Sequence, residues 1–136
     1  MNYLILIPVL AHIGLVFGLY LLLLKRKLKA ASTGDIDRRE LALNCKAWPE
    51  DVLKASNNLD NQFEAPMLFY GLCFLYQATG GASQIELFLA WTFLFSRYLH
   101  AYIHVGTNYV PHRMKAFVVG IACLLGMFVL AILKVV

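Results

Sequence analysis

The chain has 136 residues, a length that matches one domain and excludes a large multidomain enzyme. Hydrophobic residues make up 60% of it and charged residues 15%, against about 45–50% and about 25% in typical soluble domains. With a mean hydropathy of +0.66, the composition predicts that lipid surrounds most of the chain. The net charge of +4 does not indicate nucleic-acid binding, because no basic patch is interleaved with stacking aromatic residues.

Four apolar stretches predict an all-α integral membrane protein, a four-helix bundle that forms one domain. The predicted transmembrane spans lie at about residues 3–24, 57–78, 85–105 and 115–134. The second span is expected to belong to a longer helix that begins near Pro49. Pro66 should either kink this helix or lie where a neighbouring helix satisfies the freed carbonyl.

The basic residues predict how the bundle is oriented. Most of them lie in the connector at residues 25–56, and two more, Arg113 and Lys115, lie near the connector at 106–114. Because positive residues favour the cytoplasmic side, both connectors are expected in the cytoplasm and both termini on the other side. Lys134 alone does not follow this bias. The short connectors favour a bacterial inner membrane.

Polar residues at helical spacing predict a site inside the spans, where ionisable side chains are costly and usually functional. The second and third helices each carry one polar face, formed by Asn57, Asn61 and Glu64 and by Arg97, His100 and His104. Tyr98 and Tyr102 form a neighbouring stripe, which could instead be packing or an interfacial belt. Arg113 begins the fourth helix. Together these residues predict a donor-rich pocket that opens to the cytoplasm and suits an anionic or zwitterionic ligand.

Two pairs within this set have alternative interpretations. Glu64 and Arg97 lie at the same predicted depth, about 12 Å inside the membrane, which predicts an ion pair that serves the site or only orders the bundle. His100 and His104 could ligate a metal, but no third ligand lies at a compact spacing, so no metal site is predicted. His12, in the first span and away from the others, is interpreted as a satisfied core histidine.

At these residues the sequence resembles the MAPEG family, the membrane-associated proteins in eicosanoid and glutathione metabolism. The stretch Arg97-Tyr98-Leu99-His100, followed by the stretch from Arg113 to Gly120, is similar to the third and fourth helices of microsomal glutathione transferases. The stretch from Arg97 to Tyr102 is also similar to the paired-tyrosine helix of leukotriene C4 synthase. Asn61-Gln62-Phe63-Glu64 matches the Asn-x-x-Glu signature of the family.

The resemblance, over residues 50–135, implies a homotrimer with glutathione bound between protomers near the cytoplasmic face. It implies that Arg113 is the catalytic residue, stabilising the glutathione thiolate, and that an apolar electrophile arrives from the lipid. The residues implied to bind substrate are Asn57, Asn61, Glu64, Arg97, Tyr98, His100, Tyr102 and His104. Asn57 is a departure, because glutathione-using members carry arginine there; Lys54, one turn earlier, could replace it.

The function expected from the residues and the resemblance is conjugation or reduction of apolar electrophiles with glutathione as co-substrate. The alternative is a non-enzymatic membrane protein with the same scaffold, which binds a lipid or a protein partner in the same groove. A small transporter fits less well, because the polar residues cluster on one side and the fourth span has none.

Overall fold

The computed structural model describes residues 3–34 and 36–136, and all regular secondary structure in these residues is helical. The helices are α1 (Leu6–Thr33), α2 (Arg38–Leu43), α3 (Glu50–Asn61), α4 (Ala65–Ala78), α5 (Gln84–Val105) and α6 (Val110–Val135). A 3-10 turn at Cys45–Ala47 joins α2 to α3. Within the described residues, α1 and α6 are the two helices that pass a length and composition test for crossing a membrane.

A bundle forms because α1, the α3–α4 pair, α5 and α6 each turn apolar residues toward a common core. Phe69 of α4 stacks on Phe93 of α5 with 4.6 Å between the ring centroids. The packing of α5 against α6 is close at Gly120, where an added Cβ would lie 2.8 Å from Ser96 Oγ. Glycine is therefore the residue that lets these two helices approach.

The predicted second span is formed by two helices, α3 and α4, and residues 62–64 separate them. Pro66 lies in the first turn of α4, where its missing N–H costs nothing, so the predicted kink at Pro66 is wrong. The structure agrees better with the alternative prediction, in which a neighbouring helix satisfies a backbone carbonyl near Pro66. At the break, Arg97 Nη2 of α5 donates to the Asn61 carbonyl at 3.2 Å.

The connectors at residues 36–49 and 106–109 lie at one end of the bundle. Arg26 of α1 donates to the carbonyl of Val105, at the end of α5, at 3.0 Å, and also to that of Asp51, at the start of α3. At the other end, Lys134 donates to the Gly81 carbonyl and lies 3.5 Å from the carboxylate of Glu86. Lys134, the basic residue that does not follow the predicted charge bias, is thus paired with Glu86.

Candidate functional site

A polar cavity of about 460 Å³ lies between α3, the end of α5 and the start of α6. A smaller one, of about 180 Å³, shares Asn61 and Arg113 with it. The predicted site residues that line one or both cavities are Asn57, Asn61, Glu64, His100, His104 and Arg113. The structure therefore brings together six of the nine residues predicted for the site, from four different helices or connections.

Arg113 is half-buried near the start of α6, where Nη1 donates to His104 Nε2 at 3.0 Å and to Asn108 Oδ1 at 2.7 Å. Because a guanidinium can only donate, His104 accepts at Nε2 and carries its proton on Nδ1. Asn108 is held in place by a left-handed backbone, with φ of 53°, which asparagine adopts more readily than most residues. Both bonds use one nitrogen of Arg113, so its other N–H groups can donate to a ligand in the cavity.

Arg97 does not form the predicted ion pair with Glu64. Its side chain is 1% exposed, and Nη2 donates to the Asn61 carbonyl and to Gln62 Oε1, both at 3.2 Å. Glu64 is exposed, and no ion pair joins it to Arg97 within 4.0 Å. The prediction assumed one continuous helix, but Glu64 lies in the break between α3 and α4, where helical spacing no longer places it. It lines the smaller cavity instead, with His100 and Arg113.

A buried hydrogen-bond network lies beneath the cavities, around Gln62. His12 Nε2 donates to Gln62 Oε1 at 3.2 Å, and Tyr70 OH donates to His12 Nδ1 at 2.7 Å. This tautomer follows because Gln62 Oε1 can only accept. The Gln62 amide donates to Asn58 Oδ1 at 3.0 Å, and Asn58 donates to the Ala101 carbonyl at 3.1 Å.

His12 is thus a satisfied core histidine, as predicted, but its predicted separation from the other polar residues is wrong. It reaches Arg97 through the oxygen of Gln62, to which both side chains donate. The network joins α1 to α5 through the break between α3 and α4. It holds the backbone of that break, and with it Asn61, against Arg97.

Tyr98 and Tyr102 do not line either cavity. Tyr98 is 42% exposed and its hydroxyl donates to the Ala11 carbonyl at 2.8 Å, and Tyr102 is 78% exposed. Since each residue turns an α-helix by about 100°, these two positions point away from the face that carries His100 and His104. Within one protomer their placement fits packing and an interfacial belt better than the wall of the pocket.

The cation that could replace the missing family arginine also lies in the larger cavity. Lys54 lines it together with Asn57, and its ammonium forms an ion pair with Glu50 at 2.7 Å. Glu50 is largely exposed, and such surface pairs are weak, so a ligand carboxylate could compete for the ammonium.

Six polar residues of the site region were missed from the sequence: Glu50, Asn58, Asp60, Gln62, Tyr70 and Asn108. Glu50 and Asp60 carried no signal, because acidic residues on the exposed part of a helix usually face solvent. Asn58 and Gln62 carried a usable signal, since their i, i+4 spacing predicts a second polar face on the same helix. Asn108 carried a weaker one, as a turn-forming residue just before Pro111 and the apolar run of α6. Tyr70 carried none, because a tyrosine in an apolar stretch is usually packing.

The cavities offer side chains for hydrogen bonds and charge pairing. In residues 3–34 and 36–136 no group of three or more His, Cys, Asp or Glu side chains could hold a metal ion. The arrangement combines two cations, several amides and the carboxylates of Glu50, Asp60 and Glu64, which together suit a peptide-like zwitterion.

Residues 5–133 match the family model described as the MAPEG family. No match was found among curated proteins or among solved structures. The matched region includes the first helix as well as both polar faces. The chain therefore belongs to the MAPEG family and is an integral membrane protein of this family of glutathione and eicosanoid metabolism.

Proposed function

We propose that the protein binds glutathione in the polar cavities and uses its thiolate to conjugate or reduce apolar electrophiles. The observation that carries the proposal is Arg113, half-buried in a cavity of about 460 Å³ with N–H groups free for a ligand. Ligand sites for small molecules measure about 300–1,000 Å³. Glutathione has two carboxylates and one ammonium besides its thiol. Lys54 and the amides of Asn57 and Asn61 suit the carboxylates, Glu64 suits the ammonium, and Arg113 remains for the thiolate.

The chemistry required of the site is ionisation of the glutathione thiol. The thiol loses its proton to water, and the guanidinium of Arg113 stabilises the sulfur anion that remains. In conjugation the sulfur lone pair forms a carbon–sulfur bond with the electrophile, and the leaving group departs with the electron pair of the broken bond. His104 accepts from Arg113 and keeps the guanidinium oriented.

A third cavity supports entry of the electrophile from the lipid. It has a volume of about 470 Å³, lies between α4 and α6, and is lined by apolar side chains including Ile121, Leu125 and Phe128. On α6 these positions continue the face of Met114 and Phe117, which line the smaller polar cavity. An apolar substrate in this groove would therefore lie on the same face of α6 as Arg113.

The proposal includes four membrane spans, with α5 and the α3–α4 pair crossing the bilayer beside α1 and α6. The exposed surface of α5 is mainly apolar, including Phe88, Phe95 and Leu99. Its ionisable side chains other than tyrosine are all buried: Glu86, Arg97, His100 and His104. A helix that turns its charges inward and its apolar side chains outward is suited to lipid.

We also propose a homotrimer with the glutathione sites between protomers. Gly14 and Gly18 on α1 support this, because both are exposed and an added Cβ would meet nothing within 4 Å. They therefore mediate no close contact in the protomer and remain able to accept a helix of another copy. The orientation with both polar cavities at the cytoplasmic face, and a bacterial inner membrane, belong to the same proposal.

Glutathione is expected to raise the unfolding temperature of the detergent-solubilised protein at millimolar concentration. A ligand present at 100 times its Kd stabilises the folded state by about 2.7 kcal/mol. S-methylglutathione, which keeps the peptide but has no thiol, should stabilise the protein less than glutathione, because it lacks the thiolate that Arg113 binds, and should give no thiolate absorbance. If neither compound changes the unfolding temperature, the enzyme proposal fails. The non-enzymatic alternative would then be favoured, in line with Asn57 at the position of the family arginine.

Filling the apolar groove should affect the electrophile and spare glutathione. In Ile121→Trp we expect the KM for an apolar electrophile to rise about tenfold, because the indole occupies groove volume that the substrate needs. Stabilisation by glutathione should be unchanged. Val129→Trp is the matched control, since Val129 is similarly exposed on α6 but does not line this groove. Equal kinetic effects in both variants would contradict the proposed entry route.

A further inference from the structure

A separate groove of about 620 Å³ lies between α5 and α6, on the side of α6 opposite the candidate site. Phe95, Leu99 and Ile103 line it from α5, and Ala116 and Val119 line it from α6. None of these residues lines the two polar cavities. The groove is therefore distinct from the glutathione site proposed above, and an inference about it stands without that proposal.

The interior of the groove is apolar even though two hydroxyl side chains line it. Ser96 Oγ donates to the Phe93 carbonyl at 2.7 Å, and Thr92 Oγ1 donates to the Phe88 carbonyl at 2.9 Å. Both hydroxyl protons are thus used by the backbone of α5. A ligand in the groove need not supply hydrogen-bond partners, which suits a hydrocarbon chain.

One end of the groove carries positive charge. His112 and Lys115, near the start of α6, line it beside Ile103, and both side chains are exposed. No acidic side chain is found among the described residues that line it. This end lies next to the connector at residues 106–109, where an interfacial headgroup would meet a membrane-spanning α6.

We propose that this groove is a binding site for an anionic phospholipid. One acyl chain lies along Phe95, Leu99 and Val119, and the phosphate faces Lys115 and His112. The combination of an apolar groove with a cationic mouth at one end selects an amphiphile with a negative headgroup over a neutral one. Free phosphate does not fit this groove, because phosphate has no apolar part to contact the apolar side chains that form most of the lining.

The test is lipid selectivity of the intact purified protein. The protein is exchanged into nanodiscs with equal amounts of phosphatidylglycerol and phosphatidylcholine of identical acyl chains, and the lipids retained after mild detergent extraction are counted by native mass spectrometry. We expect the wild type to retain phosphatidylglycerol preferentially. Lys115→Gln should reduce this preference about fivefold, the effect of one lysine at an anionic headgroup.

Two further variants separate the groove from general surface charge. Lys25→Gln removes an exposed positive charge from the basic cluster of α1 and should leave the preference unchanged. Val119→Trp fills the groove and should reduce retention of the lipid while Lys115 remains in place. Unfolding temperature checks that each variant is folded. Equal losses in Lys115→Gln and Lys25→Gln, full retention in Val119→Trp, or displacement of the lipid by millimolar inorganic phosphate would each overturn the proposal.

Discussion

In the Gln62→Leu variant, the free energy of unfolding is expected to fall by about 2–4 kcal/mol. Gln62 Oε1 accepts from His12 Nε2 and from Arg97 Nη2, both at 3.2 Å. Leucine has a similar size but no acceptor, so a buried imidazole N–H and a buried guanidinium would each lose a partner. A hydrogen bond between neutral groups contributes about 1 kcal/mol and one to a charged group about 1.5–3 kcal/mol.

The chain offers a matched control in Gln77→Leu. Gln77 Oε1 is buried but has no hydrogen-bond partner, so the same replacement there should leave stability unchanged or raise it. Gln62→Glu keeps acceptor oxygens beside Arg97 but loses the amide that donates to Asn58 Oδ1, so it should retain only part of the stability. Denaturant titration in mixed micelles, followed by helical circular dichroism, measures all three variants. Equal losses in Gln62→Leu and Gln77→Leu would show that the network contributes nothing specific.

The helices that have clear start and stop signals in the sequence were the easiest to predict. The third span was expected at residues 85–105, and α5 covers Gln84–Val105. Its start follows from Ser83 and Glu86, which form a capping box with the backbone. The break at residues 62–64 was not predicted, since the sequence around it is compatible with one continuous helix. The one irregularity that the sequence indicated was a kink at Pro66. Arg97 holds the break in place by donating to Gln62, which lies 35 residues earlier in the chain.

The candidate site was predicted as far as helical faces allow. Asn57 and Asn61 meet His104 and Arg113 because two regular faces turn toward each other across the bundle. The partner of Arg97 could not be predicted, because a depth estimate gives height along the helices and says nothing of rotation about their axes. The choice between Glu64 and Gln62 depended on that rotation.

In the Arg113→Ala variant, the ultraviolet absorbance of bound glutathione thiolate is expected to disappear at pH 7. The conjugation rate should fall about 8- to 30-fold, because the ionised fraction of the thiol falls from about 24–97% to about 3%. An ordinary thiol has a pKa near 8.5 and is mostly protonated at pH 7. A guanidinium within about 4–6 Å lowers the pKa of an acid by about 1–3 units, and each unit changes the thiolate-to-thiol ratio tenfold. Stopped-flow absorbance with glutathione alone measures the ionisation before any electrophile is added.

The pH dependence distinguishes lost thiolate stabilisation from simple damage to the fold. In Arg113→Ala the rate should rise about tenfold per pH unit up to about pH 8.5, because the thiol then ionises without help. The rate of the wild type should level off about one to three pH units lower. Arg113→Lys should keep part of the thiolate signal through its charge. It should weaken glutathione binding, since lysine has no second nitrogen to donate to a ligand while the first bonds His104 and Asn108. Lys46→Ala removes an exposed charge from the connector at residues 36–49 and should change neither property. A thiolate signal that persists at full strength in Arg113→Ala would mean that another group ionises the thiol, and Arg113 would then have no catalytic role.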